Sequence, residues 1–365
     1  MVKSFVRQAL NRVVGWVGTA VVRPPAFTQQ VVGPAGPDYV PRPPCNAAEL
    51  SPAFRALFNE AVASPAKVVY TLPRAAVSWH GVVLRGLQVF VPSLPYHESA
   101  AEFTGAYGLR QWVGNPVVRL SGRFGLVHDY WSVNNYYHWL ADALPRLLLL
   151  RETSPNCALL LPAAAPEYLL TTARALGFSR FQFVEKLAFA RGMDLVMPGH
   201  TAPVGRQDQA LLLEVRRRLL AALAPQPPVA ASRRVYASRS RQKTRRLLNE
   251  EELLPLLLAN GFEVVYFEEY TLEQQIQLMQ ATSIFVGLHG ANMTNLLFLP
   301  EHAQVVELMD AENPNLCYFN MCANLGIDYR VIPCAPLHAA QVHRNNYDVT
   351  VEVSHLKDFL VKEAR

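Results

Sequence analysis

The sequence predicts a mixed α/β protein of two domains, and three observations support this prediction. The chain has 365 residues, which is enough for two domains that each bury a core. Hydrophobic residues make up 51% of the chain and charged residues 17%, a balance typical of globular proteins rather than disordered or fibrous ones. In the second half, short apolar strands alternate with helices of about ten residues, which indicates βαβ units around a parallel sheet.

The second half has the clearer pattern of elements. Its predicted strands are Val235–Ala237, Glu263–Phe267, Ser283–Val286, Gln304–Leu308 and Tyr329–Ile332. Its predicted helices are Glu250–Asn260, Thr271–Ala281, Ala291–Leu297 and Asn315–Leu325. Because the strands are apolar and rich in β-branched residues, we expect a doubly wound sheet that is covered on both faces.

The first half has a similar but less regular pattern. Its predicted strands are Val82–Leu84, Leu87–Val91, Val117–Val127, Cys157–Leu161 and Phe181–Val184. Its predicted helices are Trp139–Arg151, Pro166–Leu176 and Asp208–Leu223.

Two proline-rich breaks set the predicted domain boundaries. Seven prolines lie between residues 24 and 44 and indicate an extended lead-in, and Ala224–Pro228 is a stiff break between domains. We therefore divide the chain into four parts. They are a basic and apolar helix with its lead-in (1–44), an α/β domain (45–223), a linker (224–231) and a second α/β domain (232–365) whose last helix can pack back on the first.

The N-terminal segment leaves three interpretations open. Lys3, Arg7 and Arg12 precede a mostly apolar run, Val13–Val22. This pattern is typical of a helix lying on an anionic membrane, of a helix packed on the protein itself, and of a signal peptide, although no small-residue cleavage site follows. No apolar run reaches the roughly 18 residues that a membrane-spanning helix needs.

Cysteine usage favours a reducing compartment. The five cysteines are odd in number and no pair has CxxC spacing, so neither a disulfide scaffold nor a zinc knuckle is indicated. We therefore expect a cytoplasmic protein, with residues 1–23 as its candidate contact to the inner face of the plasma membrane.

Positive charge is concentrated in one segment. Residues 232–246 hold seven Arg and Lys and no acidic residue, whereas the rest of the chain has 27 basic residues against 29 acidic ones. Most of these cations follow the strand Val235–Ala237, at the edge where parallel sheets bind ligands. Guanidinium groups match phosphate oxygens, so the segment predicts a compact polyanionic ligand rather than a long nucleic acid. The alternative is a solvated basic loop.

A loop with two glycines follows the strand Ser283–Val286. Gly287 and Gly290 let a ligand approach the backbone closely, and the helix that begins at Ala291 presents free N–H groups that suit a diphosphate. His289 adds a hydrogen-bond donor. The alternative interpretation is a tight strand–helix turn in which the histidine is packed and polar side chains cap the helix.

Residues 128–146 form a polar and aromatic cluster where a strand gives way to a helix. His138 and Asp142 are four residues apart and share one helix face, where the carboxylate can orient the imidazole or act as a base itself. The cluster also offers flat rings for a sugar: Trp131, Tyr136, Tyr137 and Trp139. The alternative is a satisfied core pair in an aromatic cluster.

Several catalytic motifs are absent from the sequence. Neither a Walker A motif nor GxSxG nor HExxH occurs. No Asp-x-Asp pair occurs either, so no obvious carboxylate pair holds a metal ion on a diphosphate. The sequence therefore predicts neither a cofactor nor a metal ion.

Together, these segments resemble glycosyltransferase family 61. His138–Arg146 reads His-Trp-x-x-Asp-x-Leu-Pro-Arg, and Gly287–Asn295 reads Gly-x-His-Gly-Ala-x-x-Thr-Asn. The arginine-rich stretch leads to Asn249 and Glu250, and Val305–Leu308 matches the strand after the glycine loop. The family includes plant β-1,2-xylosyltransferase, O-linked N-acetylglucosaminyltransferases of the animal endoplasmic reticulum, and bacterial capsule and exopolysaccharide proteins.

The resemblance implies a GT-B fold, in which two Rossmann-like domains face a central cleft. Residues 45–223 would form the acceptor-side domain and 232–365 the nucleotide-sugar-binding domain. The implied reaction is an inverting, metal-independent transfer from a nucleotide sugar, UDP-GlcNAc or UDP-xylose first, to a hydroxyl of a glycan or lipid-linked saccharide. It would serve capsular or other polysaccharide or glycoconjugate synthesis, with no cofactor and no nucleic-acid partner.

The resemblance also implies residue roles. Inversion needs a base for the acceptor hydroxyl and positive charge for the leaving diphosphate. We expect Asp142 as the base, with His138 as its neighbour or substitute. The expected donor-binding residues are Arg239, Arg245, Arg246, Asn249, Gly287, His289, Gly290, Ala291, Asn292, Thr294, Asn295 and Glu307. The expected acceptor-binding residues are Tyr137, Trp139 and Arg146.

Two rival functions stay open at this point. A nucleic-acid-binding protein would be basic more broadly than this chain is. A non-catalytic nucleotide-sugar-binding or glycan-binding relative would be expected to lack the carboxylate at position 142, which this chain has.

Overall fold

The computed structural model of the chain describes residues 27–95, 107, 111, 115–225, 230–338 and 342–363. These residues fall into two compact units. The first takes the described residues up to Pro37 together with Ala63–Val204, and the second takes Asp38–Val62 and the chain from Gly205 onward. The N-terminal helix and membrane contact expected at 1–23 lie outside the described residues.

The described part of the first unit contains one mixed sheet of nine strands. They are β1 (Thr28–Gly33), β2 (Lys67–Ser78), β3 (Val83–Arg85), β4 (Gln88–Val89), β5 (Val117–Arg119), β6 (Arg123–Gly125), β7 (Ala158–Pro162), β8 (Phe181–Val184) and β9 (Phe189–Pro198). Their order is β4-β3-β2-β9-β6-β7-β8, with β1 beside β2 and β5 beside β9. Strands β9, β6, β7 and β8 are parallel neighbours, whereas β2 pairs antiparallel with β1, β3 and β9.

The α/β class is therefore confirmed, but only part of the first sheet is parallel. The predicted strand Val117–Val127 is wrong as one element, because a turn at Gly122 (φ +100°) splits it into β5 and β6. The long strand β2 was missed. Pro73 interrupts its apolar pattern, and the register shifts between Leu72 and Ala75, as expected where proline cannot donate to the ladder.

Two helices of the first unit pack on its sheet. Helix α1 covers residues 136–153 and is α-helical at Tyr136–His138 and Leu144–Thr153, with a π-helical turn at Trp139–Ala143 between them. The N–H of Leu144 donates to the carbonyl of Trp139, five residues earlier, which defines the π turn. Helix α2 is Glu167–Ala175.

The described part of the second unit contains a six-stranded sheet. Its strands are β10 (Arg233–Ala237), β11 (Phe262–Val265), β12 (Thr282–Leu288), β13 (Gln304–Asp310), β14 (Asp328–Leu337) and β15 (Asp348–Val351), in the order β11-β10-β12-β13-β14-β15. All neighbouring pairs are parallel except β14 with β15. The predicted parallel strands of this half are confirmed, and the antiparallel edge strand β15 was missed.

The described part of the second unit has five helices of nine or more residues: α3 (Gln209–Leu223), α4 (Glu250–Ala259), α5 (Leu272–Gln280), α6 (Cys317–Leu325) and α7 (Val353–Glu363). Leucines of α4 and α7 cover one face of the sheet, where they pack on Val286, Leu308 and Ile332. Helix α3 contacts α5 and α6. Shorter helical segments also occur, among them Pro52–Ala56 and the 3₁₀ helix Ala291–Phe298.

Helix α3 groups with the second unit, whereas the sequence analysis placed it ahead of the linker in the first domain. Gln209 of α3 donates to the carbonyl of Asn324 in α6 (3.0 Å), and Leu212, Val215 and Leu219 are buried. Residues 226–229 of the expected linker lie outside the described part of the chain. The division into acceptor-side and donor-binding domains stays a prediction, as does the GT-B arrangement.

The strand order places a ligand-binding edge in the second unit. Strands β11 and β12 lie on opposite sides of β10, so the chain reverses its winding direction between β10 and β12. In doubly wound sheets the carboxyl ends of the strands at such a reversal form a crevice that binds ligands. Arg239 follows β10 and His289 follows β12, so the fold brings both to this edge.

The helices give no sign of a membrane span. Within the described ranges, none is long and apolar enough to cross a bilayer.

The first unit should lose stability in mild acid. Burial lowers the pKa of both His80 and His128 to about 4 from the usual 6.5. Both groups are therefore neutral when folded and take up protons on unfolding, so stability falls as the pH drops from above 6.5 toward 4. Between pH 7 and 5 each contributes a loss of about 2 kcal/mol.

Thermal unfolding at pH 7 and pH 5 checks this. We expect the melting temperature to fall between these pH values, and the fall to be smaller in His128→Gln. The exposed His302→Gln variant is the matched control and should behave like the unchanged chain. An equal fall in all three proteins would contradict the assignment to His128.

Candidate active site

The first cluster of candidate residues lies on helix α1. The Asn135 side chain caps the helix by accepting the N–H of Tyr137 (3.0 Å). One turn on, Nδ1 of His138 lies 2.7 Å from Oδ2 of Asp142, and both side chains are less than a fifth exposed. The predicted pair therefore forms, within a π-helical turn of a kind that is frequent at functional sites.

The pKa values of both His138 and Asp142 are raised. Burial would lower the pKa of His138, but the hydrogen bond and charge of Asp142, together with the charge of Asp129, outweigh it and raise that pKa. Burial raises the pKa of Asp142 against the opposing effect of His138. Because Nδ1 faces the carboxylate, a neutral His138 carries its proton on Nδ1 and its lone pair on Nε2.

A buried charge cluster lies behind this pair. Oδ2 of Asp129 is 3.7 Å from Nη1 of Arg146 and 3.9 Å from Nε2 of His200. Its Oδ1 accepts the backbone N–H groups of Trp131 (2.9 Å) and Ser132 (3.0 Å). Although burial opposes ionisation, the charges of His200 and Arg146 lower the pKa of Asp129. Asp129 is thus a buried anion, and its negative charge helps to raise the pKa of His138.

The residues expected to bind the acceptor are not brought to a surface. Trp139 and Arg146 are fully buried, and Tyr137 is 5% exposed. The indole N–H of Trp139 donates to Oγ1 of Thr172 (2.8 Å), and Nε of Arg146 donates to the carbonyl of Pro198 (2.9 Å). Their burial and contacts are those of core residues. Their predicted role in acceptor binding stays a prediction, which their positions do not support.

The second cluster lines a cavity of about 130 Å³ in the second unit. The cavity lies at the carboxyl ends of β12 and β13, where His289 and Asp310 reach it. Arg245 lies on the opposite wall, and Asn313, Asn315 and Asn345 add neutral polar groups. The structure therefore brings His289 and Arg245 together at the edge that the strand order marks.

A buried chain of hydrogen bonds supports His289. Its Nδ1 is 2.5 Å from Oε1 of Glu307, and Oε2 of Glu307 accepts the hydroxyl of Tyr329 (2.6 Å). Glu307 is fully buried, so both of its oxygens are occupied and it lies behind His289 rather than facing the cavity. Burial and the charge of Glu307 raise the pKa of Tyr329 well above its usual value, so the phenol remains a proton donor.

Arg239 holds the arginine-rich loop. It is 7% exposed, and its guanidinium donates to the carbonyls of Arg245 (2.9 Å) and Thr244 (3.2 Å). Burial and the charge of Arg245 lower its pKa to about 10. Its Nη1 also lies 2.2 Å from the position that a Cβ on Gly290 would occupy. A Cβ at position 290 would therefore displace the guanidinium of Arg239, which positions the loop.

Arg245 has a strained backbone, with φ at +53°. Non-glycine residues in this left-handed region cost free energy, and such strain is concentrated at functional sites. The carbonyl of Arg245 is held by Arg239, and its side-chain Nε has no hydrogen-bond acceptor within the described ranges. The side chain is thus available to a ligand in the cavity.

Other expected donor residues have structural contacts. Arg246 forms an ion pair with Asp348 (2.8 Å), and Asn249 bonds both backbone groups of Val351. A Cβ on Gly287 would lie 2.6 Å from Sδ of Met293, so that glycine serves packing. The remaining four, Ala291, Asn292, Thr294 and Asn295, lie in the 3₁₀ helix Ala291–Phe298, where Thr294 and Asn295 are buried.

A comparison with protein families agrees with both clusters. The sequence model described as Glycosyltransferase 61 matches residues 136–306. The matched stretch contains the His138–Asp142 pair and the loop from Gly287 to Asn295. Residues 136–306 of this chain are thus similar to the glycosyltransferase 61 domain.

Curated relatives of this domain are matched over shorter stretches. The chain is 42% identical to the EGF domain-specific O-linked N-acetylglucosamine transferase of Drosophila melanogaster over 107 residues, which is 28% of this chain and 20% of that protein. It is 38% identical to the protein of the same name in Mus musculus over 90 residues, which is 23% of this chain and 17% of that protein. The match thus spans a fifth or less of the length of these relatives.

Three residues that contact the candidate site residues were missed: His200, Tyr329 and Tyr318. His200 follows β9, and Tyr329 lies on β14, so each is far in sequence from its partner. Tyr318 donates to the carbonyl of Gly290 (2.6 Å). The aromatic and polar runs could not reveal them, because each acts through a contact across the fold.

No cluster suited to a metal ion is found in the described parts of the chain. No three His, Cys, Asp or Glu side chains in those parts are grouped so that they could hold one.

Proposed function

We propose that this chain is an inverting glycosyltransferase that uses a UDP-linked sugar and no metal ion. The observation that carries the proposal is that one family domain spans both the His138–Asp142 pair and the glycine loop beside Arg245. Because the matched relatives are named for N-acetylglucosamine transfer, UDP-GlcNAc is the first donor to test and UDP-xylose the second. The acceptor is a hydroxyl of a glycan or lipid-linked saccharide.

In this proposal the donor diphosphate lies in the cavity between Arg245 and His289. Both side chains line that cavity at the carboxyl edge of the sheet, where ligands of doubly wound folds bind. Arg239 holds the carbonyl of Arg245 in place. The backbone of Arg245 is therefore already ordered before its guanidinium meets a ligand in the cavity. A preorganised cation costs no reorganisation when negative charge develops on the leaving group.

His289 is suited to stabilise the leaving diphosphate. A fully buried carboxylate such as Glu307 needs a positive or strongly donating partner, and His289 and Tyr329 supply it. With Nδ1 bonded to Glu307, the imidazolium form presents an N–H at Nε2. That group can donate to a phosphate oxygen as the bond between the anomeric carbon and the diphosphate breaks.

The base is assigned to His138 rather than to Asp142. Asp142 occupies Nδ1 of the imidazole, which leaves Nε2 with the lone pair that can accept a proton. As the acceptor oxygen attacks the anomeric carbon, its proton moves to Nε2, and the diphosphate leaves with the electrons of the broken bond. Inversion follows because a single displacement takes place. Asp142 then stabilises the imidazolium, and Asp129 adds to its field.

Nucleotide binding should depend on Arg245 and not on a metal ion. UDP should bind in buffer containing EDTA, because cationic side chains supply the charge. A charged hydrogen bond is worth about 1.5–3 kcal/mol, so Arg245→Ala should weaken UDP binding about tenfold or more in calorimetry. The control is Arg241→Ala, because Arg241 is paired with Glu269 and stacked on Tyr266. Binding that requires manganese, or that Arg245→Ala leaves unchanged, would contradict this site.

The base should be identified by the ranking of two variants in a transfer assay. His138→Ala should lower turnover by about 10² to 10⁴, the usual loss for a general base, and Asp142→Asn should lower it less. Turnover needs neutral His138, so it should increase as the pH rises through the pKa of His138, which is raised above the usual 6.5. In Asp142→Asn the increase in turnover should occur at lower pH, because the carboxylate charge that raises the pKa of His138 is gone.

Circular dichroism and melting temperatures exclude unfolding as the cause. Asp194→Asn is the matched control, because Asp194 is an exposed acid of the same unit. A larger loss in Asp142→Asn than in His138→Ala would return the role of base to Asp142.

A further inference from the structure

The second unit has a larger pocket that shares no lining residue with the cavity beside His289. Its volume is about 540 Å³, within the range typical of small-ligand sites. Three elements enclose it: the segment around Pro52–Ala56, the middle of β14, and the outer side of α7. Nothing in the proposed glycosyl transfer uses this pocket.

The walls of the pocket are mostly apolar. Leu50, Phe54 and Leu57 line one side, and Ile332 and Pro333 of β14 line another. Asn46 fixes the first wall to the sheet, because its side-chain amide bonds both backbone groups of Val331, at 2.8 and 3.2 Å. The pocket is therefore built by side-chain contacts that continue the sheet edge, and it accepts an apolar group.

One cation is buried in the pocket. Arg330 is 9% exposed and its guanidinium lies 5.4 Å from the ring centre of Phe359. Its Nη1 donates to Glu49 (3.1 Å), whereas its Nε has no acceptor among the residues that the structure describes. A buried donor without an acceptor is rare in folded proteins and points to a ligand atom or water at that position. The Nε edge of a guanidinium offers the fork geometry that binds a carboxylate.

Acidic groups lie at the rim. Glu49 and Asp358 line the pocket and are exposed, and His355 lies beside them on α7. A purely anionic ligand would meet these two carboxylates. Glu49 is already paired with Arg330, so Asp358 is the acid left for a cationic group. A ligand with a carboxylate for Arg330 and an ammonium for Asp358 complements both side chains, and its apolar body meets the leucine and phenylalanine walls.

We infer that this pocket binds a short apolar peptide or apolar amino acid, with its carboxylate on Arg330 and its ammonium at Asp358. The charge pattern and the apolar walls select this zwitterionic class over simple anions and over neutral sugars. The pocket is a binding site additional to the proposed donor cavity, with which it shares no lining residue.

Calorimetry with the dipeptide leucyl-leucine tests the inference on the full chain. We expect saturable binding of one dipeptide per chain. Arg330→Gln should weaken binding about tenfold or more, the size of a lost charged hydrogen bond. The C-terminally amidated dipeptide should bind the unchanged chain as weakly as the free dipeptide binds Arg330→Gln. Binding of the amidated dipeptide should not be weakened further by Arg330→Gln. N-acetylation of the dipeptide should also weaken binding, because the ammonium is lost.

Two further variants keep the test decisive if Arg330→Gln fails to fold. Ala53→Trp places a large side chain at the exposed edge of the pocket and should abolish dipeptide binding while UDP binding is retained. Arg55→Gln is the matched control, since Arg55 is exposed on the same short helix and does not line the pocket. Absence of saturable dipeptide binding, or binding that Ala53→Trp leaves unchanged, overturns the inference, whatever UDP does.

Discussion

Each unit buries a carboxylate beside a histidine that the proposed mechanism uses, because a buried carboxylate needs a hydrogen-bonding or charged partner. Asp142 and Glu307 are paired in the same way. Asp142 is hydrogen-bonded to Nδ1 of His138, and Glu307 to Nδ1 of His289. In both pairs the carboxylate faces Nδ1 and leaves Nε2 for another partner. In the proposed mechanism the neutral ring of His138 has its lone pair on Nε2, whereas His289 donates from Nε2 as an imidazolium. The proposed mechanism uses one of these imidazoles to take a proton and the other to donate a hydrogen bond.

The scaffolds place these pairs by different means. On α1, a π-helical turn ends beside Pro145, which has no N–H to continue the ladder, and this turn carries Asp142. In the second unit the reversal of strand order sets the position of His289, and the parallel register puts Gly287 opposite Glu307 on β13. Arg239 then connects the loop after β10 to Gly290, so that the strained Arg245 is held toward the cavity.

The sequence predicted the second sheet well, because its strands are buried on both faces and read as short apolar runs between helices. In the first sheet it missed β1, β9 and β2, where Pro73 interrupts the pattern, and in the second it missed β15, a short antiparallel edge strand. The His138–Asp142 pair was predictable from the four-residue spacing. The roles of Glu307 and Arg239 were not, because their burial and their partners depend on contacts between distant strands and loops. For the same reason Arg246 and Asn249, expected at the donor, are found bonded to Asp348 and Val351.

The central claim is that Asp142 holds His138 with its proton on Nδ1 and its lone pair on Nε2. Long-range ¹H–¹⁵N spectra of the histidine rings measure this directly, with His138→Gln used to assign the signal. Above the pKa of His138, the account predicts a protonated Nδ1 and an unprotonated Nε2, and in Asp142→Asn a loss of this strong preference. A neutral ring protonated on Nε2 would contradict the account, because that nitrogen would have no lone pair to accept the acceptor's proton.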